Sequence, residues 1–277
     1  MKQIEKRKGR EPSKRSLRPT AEDAARRLVI LKYVVVRALA SPPRDILSVW
    51  LEAWDQDGRQ KFTQDVEQEN REFWQRVRAE GLWRYLSPRE RQYAARTVVT
   101  MTHEEQVRAS WQAESVQTLM WSLGLLAELP AYDEMADHDL LKTIPANDVA
   151  DFIDSASLRA RAEIDRTRDI AEFWHWRSRE RELIELGEAF PPDEKLEAMG
   201  FHSWDDVIRF SALRAADEGT IPPCIEEDFP ARGKAYRELN EDEWFEVRSI
   251  AIERHFTLNW LCGYATGNRW DETPTDT

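Results

Sequence analysis

Two charges in this chain sit where apolar side chains belong. Val107, Trp111, Glu114, Thr118, Trp121 and Leu125 recur at alternating steps of four and three, and Trp244, Val247, Ala251, Arg254, Leu258 and Leu261 do the same. That spacing puts each set on one stripe of a helix, the stripe that turns toward a core. A charge is seldom buried without a partner, and the two signs are opposite, so Glu114 and Arg254 are expected to meet. Two chemistries fit such a pair. One is a structural ion pair that fixes helix register. The other is a polar cleft in which Glu114 works as acid or base beside Arg254 and His255, with Asn259 one turn on and Asp271 and Asp276 as further carboxylates. The structural reading is preferred, since structural pairs also perturb pKa values.

Other chemistry has less support. There is no GxSxG elbow and no SxxK motif. Cys224 and Cys262 stand in unrelated contexts without a CxxC, which fits a reducing cytoplasm and no disulfide framework. Cys262 lies on a buried-type helix and reads as an inert core thiol; Cys224 lies in a Pro-rich loop. The histidines His103, His138, His175, His202 and His255 are scattered. Glu172 and His175 make an ExxH pair, but di-iron bundles need two such pairs and no second one occurs. No metal and no cofactor is expected, and His175 reads as a half-buried, hydrogen-bonded histidine.

The elements that must position these residues are helices. Thr20 with Asp23 caps a helix reaching about Ala40, stopped by Ser41-Pro42-Pro43. Ile46 or Leu47, Trp50, Leu51 and Trp54 form the next amphipathic set, closed by Asp57-Gly58. A charged helix follows toward Glu80, with Val66, Phe73, Trp74 and Val77 inward and Gly81 as its stop. Ser87-Pro88-Arg89-Glu90 and Thr102-His103-Glu104-Glu105 are capping boxes; the second opens the Glu114 helix, which Pro130 is expected to end. Residues 130–156 read as a loop with a short helix. A long helix runs from about Ala162 to Gly187, with Ile164, Ile170, Phe173, Trp174, Trp176, Leu183 and Ile184 as its apolar positions. Asp193 and Ser203 each begin a short helix. Residues 219–233 form the longest loop, and Asn240 with Glu243 caps the Arg254 helix. Almost nothing alternates with period two, so an all-α fold is expected. The expected organisation is a disordered basic tail, 1–18, and a single compact helical domain, 19–277, with a sub-boundary conceivable near 188–203. An extended C-terminal tail is expected to dock, Trp270 inserting while Asp271 or Asp276 meets Arg159, Arg177 or Arg254.

Charge bounds the partners. The formal net charge is −12, yet residues 1–18 carry eight cations against Glu5 and Glu11, leaving −18 on the remainder. An acidic body repels nucleic acid and anionic membrane and suits a basic protein partner. Only the tail cations Lys6, Arg7, Lys8, Arg10, Lys14 and Arg15 offer RNA or lipid headgroups a contact, and no aromatic ring accompanies them for base stacking. The 12 tryptophans fall mostly within helical periodicity, so they read as core mass rather than as a stacking platform. The apolar run Leu28 to Val36, followed by Ala38-Leu39-Ala40, imitates a signal peptide. Lys32 interrupts that run, and Leu28, Leu31, Val35 and Ala38 share a helical face. It reads as the first core helix, too short for a transmembrane segment.

Trp111-Gln112-Ala113-Glu114 followed by Leu119-Met120-Trp121-Ser122-Leu123-Gly124 resembles the core motif of a bacterial family of unknown function, DUF4272. Glu253-Arg254-His255, Leu258-Asn259-Trp260-Leu261 and Trp270 to Thr277 resemble its C-terminal signature, and Leu158-Arg159 with His175-Trp176-Arg177 its middle. Ser122 stands where the family pattern has Ala. The resemblance implies a soluble bacterial protein and brings no activity, cofactor or catalytic residue. The expectation is a cytoplasmic, non-enzymatic module that binds another protein, immunity- or antitoxin-like toward a basic effector. The competing readings are the polar-cleft enzyme and tail-mediated RNA or membrane association.

Overall fold

Four helices start on reciprocal capping boxes. Thr20 with Asp23, Ser87 with Glu90, Thr102 with Glu105 and Asn240 with Glu243 each satisfy two backbone amides that a helix start would otherwise leave open. The computed structural model describes residues 18–192 and 194–275. The readings made for the basic tail, for Asp193 as a helix start and for Asp276 as an anchor fall outside the described residues.

The fold is all-α. The helices are α1 (Ala21–Leu39), α2 (Arg44–Ala53), α3 (Gln56–Ala79), α4 (Pro88–Ala94), α5 (His103–Ser122), α6 (Val149–Asp154), α7 (Arg161–Glu185), α8 (Glu194–Ala198), α9 (Trp204–Asp217) and α10 (Glu241–Leu261). The one sheet among the described residues pairs Pro230–Ala231 with Lys234–Ala235, antiparallel, inside the long loop. No helix among the described residues is long and apolar enough to cross a membrane.

The core is a row of helices in which α1 packs on α5, α5 on α10 and α10 on α7. Leu28, Leu31 and Val35 of α1 meet Val116 and Leu119 of α5 and Leu258 and Leu261 of α10 in one apolar cluster. Trp174 of α7, Val247 and Ala251 of α10, Phe229 and Tyr236 form a second. Buried side chains fall all round α10, which marks it as the central helix serving both clusters. Arg254 stands between its two apolar halves.

Four expectations about the elements need correction. α5 ends at Ser122, not at Pro130. Gly124 takes φ 73°, its amide bonds to Trp121 O, and the Leu125 amide reaches back to Met120 O. This is a Schellman stop, and it throws Leu125 off the stripe into solvent. Asp55 caps α3 through the Gly58 amide, so Gly58 lies inside α3 rather than closing α2. α2 buries only Leu47, leaving Ile46, Val49 and Trp50 exposed, because no core helix packs over that face. On α7 the buried line contains Arg168, Arg177 and Glu180 as well as Ile164 and Trp174, while Ile184 is exposed.

Candidate functional site

The structure brings Glu114 and Arg254 together at the α5–α10 seam. Arg254 Nε donates to Glu114 Oε2 at 3.0 Å, with Glu114 1% and Arg254 0% exposed. Neither group spends its hydrogen bonds on the other alone. Arg254 Nη1 donates to Pro130 O at 2.7 Å and Ala131 O at 3.2 Å, and Nη2 donates to Glu134 O at 3.0 Å. Glu114 Oε1 accepts from the Ala136 amide at 2.6 Å, and Gln117 Oε1 accepts from the Asp137 amide at 3.1 Å. The Arg254 guanidinium lies 5.0 Å from the Tyr132 ring centroid, and that ring stacks on Trp174 at 5.0 Å. The pair is thus the floor of the loop from Pro130 to Asp137, with five backbone groups of that loop tied to it or to Gln117. Both charges are sealed from solvent, so a substrate could reach them only if the seam opened.

The other side of that loop is open. Asp133, Glu134, Met135, Ala136, Asp137, His138 and Asp139 border a shallow, open cleft, with Arg232 on its wall. Asp133 accepts from the Arg232 amide at 2.5 Å, and Arg232 itself pairs with Glu246. Asp137 caps the 3-10 turn His138–Thr143 through the Asp139 amide. Carboxylates dominate the rim, and Met135 at 53% exposure supplies an apolar point among them.

His255 is not beside Glu114 in a cleft but on another face of α10, against α7. His175 Nδ1 and His255 Nδ1 are 2.9 Å apart. Arg168 Nε donates to Asn259 Oδ1 at 2.8 Å, which orients that amide. Asn259 Nδ2 then donates to His255 Nε2 at 2.9 Å and to Pro274 O at 2.8 Å. His255 must therefore carry its proton on Nδ1 and donate it to His175 Nδ1. Burial holds both imidazoles neutral, lowering His255 to about 3 and His175 to about 4, with the cations Arg168 and Arg248 acting in the same direction. Among the described residues no group of three or more His, Cys, Asp or Glu is placed to hold a metal ion.

Several buried charges escaped the sequence reading. Arg177 and Asp228, 2% and 0% exposed, form a bidentate pair at 2.8 and 2.7 Å. Burial alone would raise Asp228, but Arg177 and the Phe229 and Arg237 amides hold it below the usual carboxylate range. Arg27 pairs with Glu90 at 2.5 Å beneath α4. Glu180 is pushed up to about 7 by burial. Glu253, half-buried and accepting from Ser115 Oγ at 2.9 Å, also rises to about 7 through burial and the nearby Glu114.

At the C-terminal end Trp270 is buried, edge-on to Phe256 at 4.8 Å and to Trp260 at 5.2 Å, under the Arg27 guanidinium. The segment is not extended there; Trp270–Glu272 is a 3-10 turn. Asp271 meets neither Arg159, Arg177 nor Arg254. Its Oδ2 accepts from the Arg89 backbone amide at 2.9 Å, in the first turn of α4, where an open amide favours a carboxylate. The three expected arginines are committed elsewhere: Arg159 to Trp121 O, Leu126 O and Glu163, Arg177 to Asp228, Arg254 to Glu114.

A family model described as Domain of unknown function (DUF4272) matches residues 10–187. That span contains Glu114, Arg168, His175 and Arg177; Arg254, His255 and Trp270 lie beyond it. Among curated proteins and solved structures nothing matches the chain.

Proposed function

This chain belongs to the DUF4272 family, and we propose that it is a protein-binding module whose acidic cleft receives a basic segment of another protein. In this reading the Glu114–Arg254 pair is a positioning device rather than a catalytic one. The observation that carries it is the clamping of the loop from Pro130 to Asp137 by buried Glu114, Gln117 and Arg254 while the opposite side of that loop stays open as an acidic rim. A loop already fixed loses little conformational freedom on binding. Asp133, Glu134, Asp137 and Asp139 attract lysines and arginines and set the approach, and Met135 adds a polarisable apolar contact. A basic effector masked by this surface, as in an immunity or antitoxin pair, is one partner of the required chemistry.

Affinity capture from the native host, comparing wild type with the triple variant Asp133→Asn, Glu134→Gln, Asp137→Asn, tests the reading. The wild type is expected to enrich a basic protein that the variant loses and that about 1 M salt releases, since exposed charges are screened. Equal recovery of the same protein on both baits overturns the cleft as the binding surface.

A further inference from the structure

The face that α2 turns outward is apolar. Ile46, Val49, Trp50 and Ala53 recur at helical spacing, which sets them on one stripe of the helix. All four are exposed, Val49 by 64% and Trp50 by 46%. Large apolar side chains exposed together on one short helix form a patch rather than scattered surface. The helix that carries them is nonetheless fixed. Leu47 is buried, Arg44 Nη1 donates to Val98 O at 3.1 Å and to Val99 O at 3.0 Å, and Trp54 meets the Phe62 ring edge-on at 4.9 Å. A stripe held in place in this way loses little freedom on binding.

The charges beside the stripe select what covers it. Asp45 and Glu52 stand seven residues apart along one flank. Both are exposed, and neither has a cation within salt-bridge distance among the described residues. Arg44, the one cation of α2, is turned onto the Val98 and Val99 carbonyls. In the register of a helix pair, Ile46 and Ala53 take a positions, Val49 takes d, Trp50 takes e and the two acids take g. A second copy of α2 does not match this pattern. Antiparallel packing would set each Asp45 against the other copy's Glu52, and parallel packing would set it against the other copy's Trp50, so neither supplies a cation. An anionic membrane does not match it either, since an interfacial helix carries Lys and Arg on its polar face.

We propose that α2 docks an amphipathic helix of another protein, its apolar seam on Ile46, Val49 and Trp50 and its lysines or arginines on Asp45 and Glu52. This face shares no residue with the acidic cleft and does not depend on it.

Fluorescence anisotropy of the full chain with a labelled helical peptide of about 20 residues, Leu at a and d and Lys at e and g, tests the proposal. A twin peptide with Glu at e and g is the control. The Lys peptide is expected to bind with Kd at or below about 100 μM and at least about tenfold tighter than its twin. The double variant Val49→Ser, Trp50→Ala is expected to weaken it at least about tenfold, while Asp133→Asn, Glu134→Gln, Asp137→Asn leaves it within about twofold. Both α2 side chains are exposed, so the double variant should fold, which circular dichroism checks. Binding weaker than that limit, equal binding of the twin, unchanged binding by the double variant, or a loss confined to the cleft variant would each overturn the proposal. Self-association of the wild type, or capture of phosphatidylserine vesicles, that the double variant loses would overturn it too, assigning the face to a second copy or to a membrane.

Discussion

Arg254→Ala is expected to cost more stability than Glu114→Ala, and both are expected to cost much. Removing Arg254 leaves the Glu114 carboxylate facing its partner's void and takes the donor away from Pro130 O, Ala131 O and Glu134 O at once. Removing Glu114 strands the guanidinium but leaves those three carbonyl bonds, and frees only the Ala136 amide. Breaking a buried pair from one side costs roughly 3–5 kcal/mol. For a chain approaching this size about 2–4 °C is lost per kcal/mol, so melting should fall by about 6–20 °C. The double variant should cost less than the sum by about 0.5–3 kcal/mol, because the second removal no longer strands a charge. Urea denaturation followed by far-UV circular dichroism measures all three, and hydrogen exchange at the Ala136 and Asp137 amides reads the loop itself. Single losses below about 1 kcal/mol, strict additivity, or unchanged exchange at those amides in Arg254→Ala would refute the reasoning.

Trp270→Ala is expected to cost about 3–5 kcal/mol, the range for emptying a buried Trp site, and to lower the melting temperature accordingly; an unchanged melt would show that the ring is not packed. Stability should be greatest between about pH 4.5 and 6.5. His175 and His255, lowered to about 4 and 3 from 6.5, stay neutral in the fold while the unfolded chain takes up protons, so stability falls as pH drops below about 6.5. Glu180 and Glu253, raised to about 7 from 4.5, keep protons that the unfolded chain has released, so their contribution is lost as pH rises from about 4.5 to 7. The two trends oppose each other in the shared window, and Glu180→Gln with Glu253→Gln should flatten the neutral side; a melting temperature that climbs steadily from pH 5 to 8 in the wild type contradicts this. Asn259→Leu is expected to unpair Arg168 Nε, His255 Nε2 and Pro274 O together, Arg168 keeping Asp169 and Glu172, and to destabilise by about 2–4 kcal/mol, whereas a change under about 1 kcal/mol would remove the network's role.

Much of the helical frame was legible because it rests on local chemistry. A capping box is a four-residue event, and Thr20, Ser87, Thr102 and Asn240 each announce one. The charges at 114 and 254 stood out because each interrupts an apolar stripe. The same test applied to α7, where Ile164, Arg168 and Ala171 share a face, would have singled out Arg168. His175 and His255 gave no such signal: they are 80 positions apart and acquire a relation only when α7 packs on α10. Arg177 was hidden because its partner Asp228 sits in an irregular loop without periodicity. The end of α5 was misread because Leu125 continues the stripe by spacing, while Gly124 one residue earlier sets the backbone into the left-handed region and ends the helix. The rim carboxylates fall within seven consecutive residues, Asp133 to Asp139, so their charge was legible; what was not is the fixed shape of the loop, which follows from tertiary bonds to Glu114, Gln117 and Arg254.

The clamped loop is the proposed surface for a basic partner. Zero-length carbodiimide cross-linking in native extract, which joins carboxylates directly to lysines, followed by peptide mass spectrometry, tests it most directly. Cross-links from partner lysines concentrated on Asp133, Glu134, Asp137 and Asp139 are the result this account requires. Cross-links that avoid those four residues while forming elsewhere on the acidic surface would contradict it.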